Sequence, residues 1–372
     1  MANETTNQTK PTPERPRPRR RLGFLPERIP VRGTILVILS ILIVLGVVLG
    51  TMSTLRTGRY GPQDWRNFVI SGVARGSVYA LIAIGYTLVY GILFMINFAH
   101  GEVFMSGAFT SFFVARAMAQ AGFLDSNPIL AIIILLLVSA TVSTLVAVTL
   151  ERVAYRPLRG APRLVPLITA IGASLFLQYT FRGLYGAQAK GYPTPGILQG
   201  RWNIFGMPIA RTQVVVIVGA LLLMVGLYLF ISRTRTGRSM RAVGEDKEIA
   251  ALMGINVDRT IVTTFAIGGM LAGAAGILYV FLFPQVIFDM GFVPGIKAFT
   301  AAVLGGIGSV TGAGVGGLIL GILEAVGPSL FLTGANVPAP HQLQPVVAFG
   351  ILVLVLIFRP GGIFGSAEEK RA

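Results

Sequence analysis

The chain has 372 residues, 53% hydrophobic and 12% charged, with a mean hydropathy of +0.74, which excludes a soluble domain and describes an integral membrane protein. Its 31 Lys and Arg against 15 Asp and Glu give a net charge of +16, but the basic residues cluster in loops between apolar runs, the positive-inside pattern, and not on a face that would hold nucleic acid. The absence of cysteine and the presence of only two histidines exclude disulfides and thiol chemistry and leave almost no material for a His-based metal site or a catalytic triad.

Residues 1–33 are rich in Pro and Arg, with Arg15, Arg17, Arg19, Arg20 and Arg21 close together. Such a segment buries no core and reads as a disordered basic cytoplasmic tail; its arginines serve either as a topology signal and nothing else or, in addition, to attract anionic membrane lipid. Thr34 to Met52 is the first apolar run. No small-x-small cleavage pattern ends it, so residues 34–53 read as a retained anchor helix and not as a signal peptide. A transmembrane domain follows over residues 67–359. Its first span is Ser77–Met95 and its second Val103–Ala119, with the polar text INFAHGE between them. Asn97, His100 and Glu102 in that text are expensive in lipid unless they face protein, a cavity or the interface. Two readings stand at this point: the three line a route through the membrane, or the segment is a solvated interfacial turn.

Pro128–Leu150 is another span, and the four arginines of ERVAYRPLRGAPR after it mark the cytoplasm. Leu164–Tyr185 crosses outward, residues 186–211 form the longest external segment, and Thr212–Ser232 returns. The loop 233–259 then carries a charged island, GRSMRAVGEDKEIAALMGINVDR, in which Ala250, Ala251, Leu252 and Met253 favour helix and Gly254 suits its C-terminal cap. A polar helix between two spans cannot lie in hydrocarbon, so the island sits at the surface.

Ile261–Leu282 carries Gly269 and Gly273 at four-residue spacing, a close-packing face. Ala298–Leu332 is denser in glycine. Gly308, Gly312 and Gly316 at steps of four predict one helix-packing seam, for which a second permease subunit is one candidate partner. There is no GxxxxGK[ST], so no phosphate-binding loop is expected. Glu324 is the one carboxylate well inside that run, either on a pathway or at a helix end. Gln344–Phe358 is the last span, and residues 360–372, with Lys370 and Arg371, form a cytoplasmic tail. Alternation from an inside N-terminus gives about ten transmembrane helices, broken or half helices included, with both ends inside.

Four stretches resemble a single family. GYTLVYGILFMINFAHGEVFMSGAF, RPLRGAPRLVPLITAIGASLFLQ, GRSMRAVGEDKEIAALMGINV and AFTAAVLGGIGSVTGAGVGGLILGILEAV are similar, in the same order, to the permeases of branched-chain amino-acid importers. The N-terminal tail and first helix are extra to that pattern. The resemblance implies an all-α polytopic membrane protein with the ABC-importer permease fold. Glu248, Ala250, Ala251 and Gly254 resemble the loop by which such permeases dock into the ATPase. This makes Arg238, Arg241, Gly244, Glu245, Glu248, Ala250, Ala251 and Gly254 the coupling set. Asn97, His100, Glu102 and Glu324 become pathway candidates, and Gly269, Gly273, Gly308, Gly312 and Gly316 packing positions. No catalytic or metal-binding residue is implied.

The implied partners are a second permease subunit, two ABC ATPase subunits, a periplasmic substrate-binding protein and membrane lipid, without nucleic acid. ATP and Mg belong to the ATPase subunits, so this chain needs no cofactor of its own. The implied function is ATP-driven import of Leu, Ile and Val across a bacterial inner membrane by alternating access. Urea, short amides and other amino acids are the alternative cargoes. An ion-coupled secondary transporter is the alternative class, for which the chain offers few ionisable groups in mid-membrane.

Overall fold

The computed structural model describes residues 31–162, 164–204, 206–359 and 361–364. The basic tail over residues 1–30 lies outside that range, as do Lys370 and Arg371. Contacts divide the chain into residues 1–46 and 47–372. The described part of the first unit is helical, in α1 (Val31–Thr57). This helix starts before the expected anchor 34–53 and ends after it, so residues 31–33 are its first turn and not tail.

The second unit is built from helices. They are α2 (Pro62–Leu93), α3 (His100–Gln120), the single turn α4 (Phe123–Ser126), α5 (Pro128–Leu150), α6 (Leu164–Tyr185), α7 (Arg211–Arg233), α8 (Arg235–Glu245) and α9 (Lys247–Leu252). The series continues with α10 (Val257–Leu282), α11 (Phe292–Gly305), α12 (Val310–Gly327) and α13 (Gln344–Phe358). Among the described residues, four short strands complete it. β1 (Lys190–Gly191) pairs antiparallel with β4 (Gln285–Val286), and β2 (Arg201–Ile204) forms a hairpin with β3 (Met207–Ala210).

Among the described residues, 8 helices are long and apolar enough to cross a membrane. The 21-residue α3 and the shorter α11, with 14, stand beside them and complete the polytopic all-α arrangement. At 1.5 Å per residue α3 still reaches about 31 Å, the thickness of a hydrocarbon core. In the most apolar stretch of α2, 89% is buried, against 17% in α7 and 6% in the stretch that ends in α13. The inner helix is therefore α2, and the apolar faces of α7 and α13 are left for lipid.

Small residues decide how closely the inner helices approach. A Cβ at Gly76 of α2 would meet the Gly317 carbonyl oxygen of α12 at 2.8 Å, and one at Gly72 would meet Ile322 Cα at 2.8 Å. On α10, a Cβ at Gly269 would meet the Ser143 carbonyl of α5 at 2.8 Å, and one at Gly273 would meet Ala140 Cα at 2.8 Å. Hydroxyls of α5 reinforce the packing on both sides: Ser139 Oγ donates to the Gly273 carbonyl of α10 and Ser143 Oγ to the Val103 carbonyl of α3, both at 2.7 Å. Lipid offers no hydrophobic drive for helix association, so close backbone contact and such hydrogen bonds do the holding.

Gly312 and Gly316 pack against α11 of the same chain, where added Cβ atoms would meet Gly305 C at 3.1 Å and Gly305 Cα at 3.0 Å. Gly308 corrects the expected series. It lies in the turn between α11 and α12 with φ +100°, and an added Cβ would meet nothing within 4 Å. Ser309 starts α12 by accepting a hydrogen bond from Gly312 N at 3.1 Å, so the spacing of four crosses a helix boundary. The seam is therefore Gly312 and Gly316 against α11.

The C-terminal end of α11 is closed from far along the chain. Ile363 N donates to the Leu304 carbonyl at 2.9 Å and Phe364 N to the Gly305 carbonyl at 3.1 Å. These are two of the carbonyls that a helix end leaves without an internal partner.

Candidate functional site

Between α2 and α3 the chain breaks over residues 94–99. Phe94 turns left-handed (φ 55°) and closes α2 through its N–H to the Tyr90 carbonyl at 2.7 Å. The Asn97 carbonyl accepts from His100 N at 3.0 Å and starts α3. Asn97, His100 and Glu102 are all buried, which decides against the solvated turn. They point in three directions. Asn97 Oδ1 accepts from the Tyr155 hydroxyl at 2.6 Å. The His100 ring lies 4.8 Å from that of Tyr86, in space that a Cβ at Gly85 would fill. Glu102 Oε1 accepts from Gln178 Nε2 at 2.7 Å and Ser174 Oγ at 3.3 Å on α6. Gly101 is what lets this corner approach α11, since a Cβ there would meet Gly295 Cα at 3.1 Å.

His100 Nε2, Glu102 Oε2 and Thr87 Oγ1 are buried without a hydrogen-bond partner among the described residues. Thr87 also lines two adjoining hollows. One, of about 500 Å³, lies between the end of α2, the end of α7, α8 and the 307–310 turn, and includes Tyr90, Met240, Arg241 and Glu245 in its wall. The other, lined by Tyr86, Tyr90, Asn97 and Phe299, has room for about 10 Å³, enough for no more than one water. Phe299 contacts Phe98 and Tyr86, with ring centroids 5.5 and 6.2 Å apart. The two hollows share Thr87, Tyr90 and Ile307, and the aromatic rings bound the smaller one beside the broken corner.

The charged island, whose first helix walls the larger hollow, folds as two helices. Thr234 caps α8 by accepting from Gly237 N at 3.0 Å. Asp246 caps α9 by accepting from Glu248 N at 2.8 Å and Ile249 N at 2.9 Å. Gly254 follows with φ +81°, its N–H on the Ala251 carbonyl and that of Ile255 on the Ala250 carbonyl, both at 3.0 Å. That pair of bonds is a Schellman ending, which needs a left-handed residue at this point. Ala250 is buried, whereas Arg238, Arg241, Glu245, Glu248 and Ala251 are exposed. Ile249, Leu252 and Met253 are also exposed, at 60, 86 and 78%. Gly244 packs against α2, where a Cβ would meet the Gly91 carbonyl oxygen at 2.9 Å. Lys247 lies 6.0 Å from the centre of the Phe94 ring. Desolvation, followed by the charge of Arg159, holds its ammonium below the ordinary lysine range.

Glu324 stands apart from the broken corner. Its Oε1 is 2.5 Å from Lys297 Nζ of α11, with both residues buried. Lys297 also lies 5.7 Å from the centre of the Tyr79 ring. Sequence reasoning missed Lys297, although it is the only charge within α11 and the natural complement to Glu324. It also missed Tyr155 and Gln178, which only the fold brings to the corner. Among the described residues no three His, Asp or Glu side chains gather closely enough to hold a metal.

Residues 68–356 match the family described as branched-chain amino acid transport system / permease component. The high-affinity branched-chain amino acid transport system permease protein BraD of Pseudomonas aeruginosa is 46% identical over 82% of this chain and 96% of its own length. Escherichia coli LivH, described in the same terms, is 42% identical with the same coverage. The E. coli xylose transport system permease protein XylH is 30% identical over 42% of this chain and 44% of its own. No solved structure matches.

Proposed function

This chain belongs to the branched-chain amino acid transport permease family, and from that premise we propose that it is the membrane subunit of an ATP-driven importer for Leu, Ile and Val. It spans a bacterial inner membrane with both ends in the cytoplasm. It works with a second permease subunit, two ABC ATPase subunits and a periplasmic binding protein, and ATP and Mg are held by the ATPases. The observation that carries this reading is α9. Three large apolar side chains, Ile249, Leu252 and Met253, are exposed on a segment too charged to enter lipid, and such a patch serves as a docking surface. We take the docked partner to be an ATPase subunit, whose closure moves α8 and α9 and switches the face to which the corner at Asn97, His100 and Glu102 opens.

The test is uptake of labelled leucine in cells lacking only this chain. The wild-type gene restores uptake that follows cellular ATP, while Leu252→Asp restores none and loses the ATPase on purification. Uptake that follows a proton or sodium gradient with ATP exhausted would refute the importer, and restored uptake of urea or xylose alone would refute the substrate.

A further inference from the structure

The broken corner is held from both sides by groups that contact the docking segment or the start of α10 that follows it. On one side, α9 reaches it directly through Lys247, over the ring of Phe94. On the other side the grip comes through the turns after α5. Tyr155 ends a π-helical turn, Glu151–Tyr155. Its side chain is 1% exposed, and its ring packs on Phe265 of α10 with centroids 5.5 Å apart. Its hydroxyl holds Asn97 Oδ1 at 2.6 Å. In the next turn Arg156 pairs with Asp258 at 3.0 Å, and Arg159 bonds both Asp258 and the buried Glu151. Asp258 lies in the first turn of α10, a few residues beyond the Gly254 ending of α9.

These contacts close a circuit. From Asn97 it runs through Tyr155 to Arg156 and Arg159, on to Asp258, back along the chain to α9, and through Lys247 to Phe94. Each link is a side-chain contact or a few residues of backbone, and together they join α9 to the carbonyl of Asn97 that begins α3. π-helical turns are uncommon and recur at functional sites, and this one aims the hydroxyl of Tyr155 at Asn97.

We propose that Tyr155 is a positioning residue, which passes movement of the α9–α10 junction to Asn97 and so links ATP-driven closure to opening of the corner. This rests on the importer reading above. The bond matters for coupling more than for folding, because the ring of Tyr155 remains packed on Phe265 when the hydroxyl is removed.

The experiment uses the whole transporter in proteoliposomes with its binding protein, and reads ATP hydrolysed per leucine delivered. Tyr155→Phe is expected to assemble with the ATPase and hydrolyse ATP within twofold of wild type. Its leucine uptake falls about fivefold to tenfold, the effect of one lost buried hydrogen bond, so the ratio rises. Asn97→Leu lowers uptake, and the double variant lowers it no further than the worse single one. Asn97→Asp, which keeps an acceptor for Tyr155, retains more uptake than Asn97→Leu. A wild-type ratio in Tyr155→Phe, fully multiplicative effects in the double variant, or loss of assembly in Tyr155→Phe would each overturn the proposal. A wild-type transporter that carries no branched-chain amino acid refutes the substrate reading alone, and the ratio is then taken with the solute it does carry.

Discussion

The pair Lys297–Glu324 gives a sharp test of what an ion pair does among buried helices. At 2.5 Å, and with an effective dielectric of 20, the attraction is about 7 kcal/mol. Withdrawing both charges from water offsets most of that, so the pair adds little net stability compared with an apolar pair of the same size. Breaking it is different. Lys297→Met or Glu324→Leu alone strands a charge among Tyr79, α2 and α12, at a cost of about 3–5 kcal/mol. Together, Lys297→Met and Glu324→Leu leave no charge and should come within about 1–2 kcal/mol of wild type. The measure is the temperature at which half the purified chain still runs as a single species after a fixed time in detergent, which does not require reversible unfolding. Each single variant should fall by roughly 5–10 °C, with the double close to wild type. Single variants as stable as wild type, or a double as damaged as either, would refute the argument. The double also settles the role of Glu324: stable protein that carries no cargo would return this residue to the pathway.

Gly312→Ala should lower the same half-survival temperature through a loss of about 1–3 kcal/mol, because its Cβ would press on the Gly305 carbonyl and come within 3.0 Å of Ser309 Oγ. Gly308→Ala meets no such wall and costs only the strain of its positive φ. His100→Asn, which keeps a polar group beside Gly85, should reduce leucine uptake by roughly tenfold, about 1.4 kcal/mol, and leave ATPase co-purification intact; unchanged uptake would remove His100 from the route.

Three of the helices facing lipid were legible to the residue. Pro128–Leu150, Leu164–Tyr185 and Gln344–Phe358 read the same in the sequence and in the fold, because a helix bathed in hydrocarbon must be apolar throughout and ends where Pro, Gln or Arg is affordable. The end of α9 was equally readable, since a left-handed ending after an Ala-Leu-Met run calls for the glycine at Gly254. The interior was less so. From Phe292 to Leu332 nearly everything is small or apolar, so hydropathy does not mark the turn at 306–309, and evenly spaced glycines ran Gly308 into a helix to which it does not belong. The polarity of Asn97, His100 and Glu102 marked the corner. Their partners Tyr155, Ser174 and Gln178 lie 58 to 76 positions away, and such pairings follow from tertiary packing, not from any local period.

The closure of α11 by residues 363 and 364 bears on how the protein is made. A helix of 14 residues is too short to hold itself together. Here its last carbonyls wait for amides almost sixty positions later in the chain. Until the ribosome has delivered α13 and the stretch beyond it, that end of α11 has no lasting partner, and in a membrane an unpartnered backbone group is costly. The C-terminal turn of α11 is therefore expected to settle late, and a nascent chain stalled before α13 would expose that unfinished end to whatever quality control patrols the membrane.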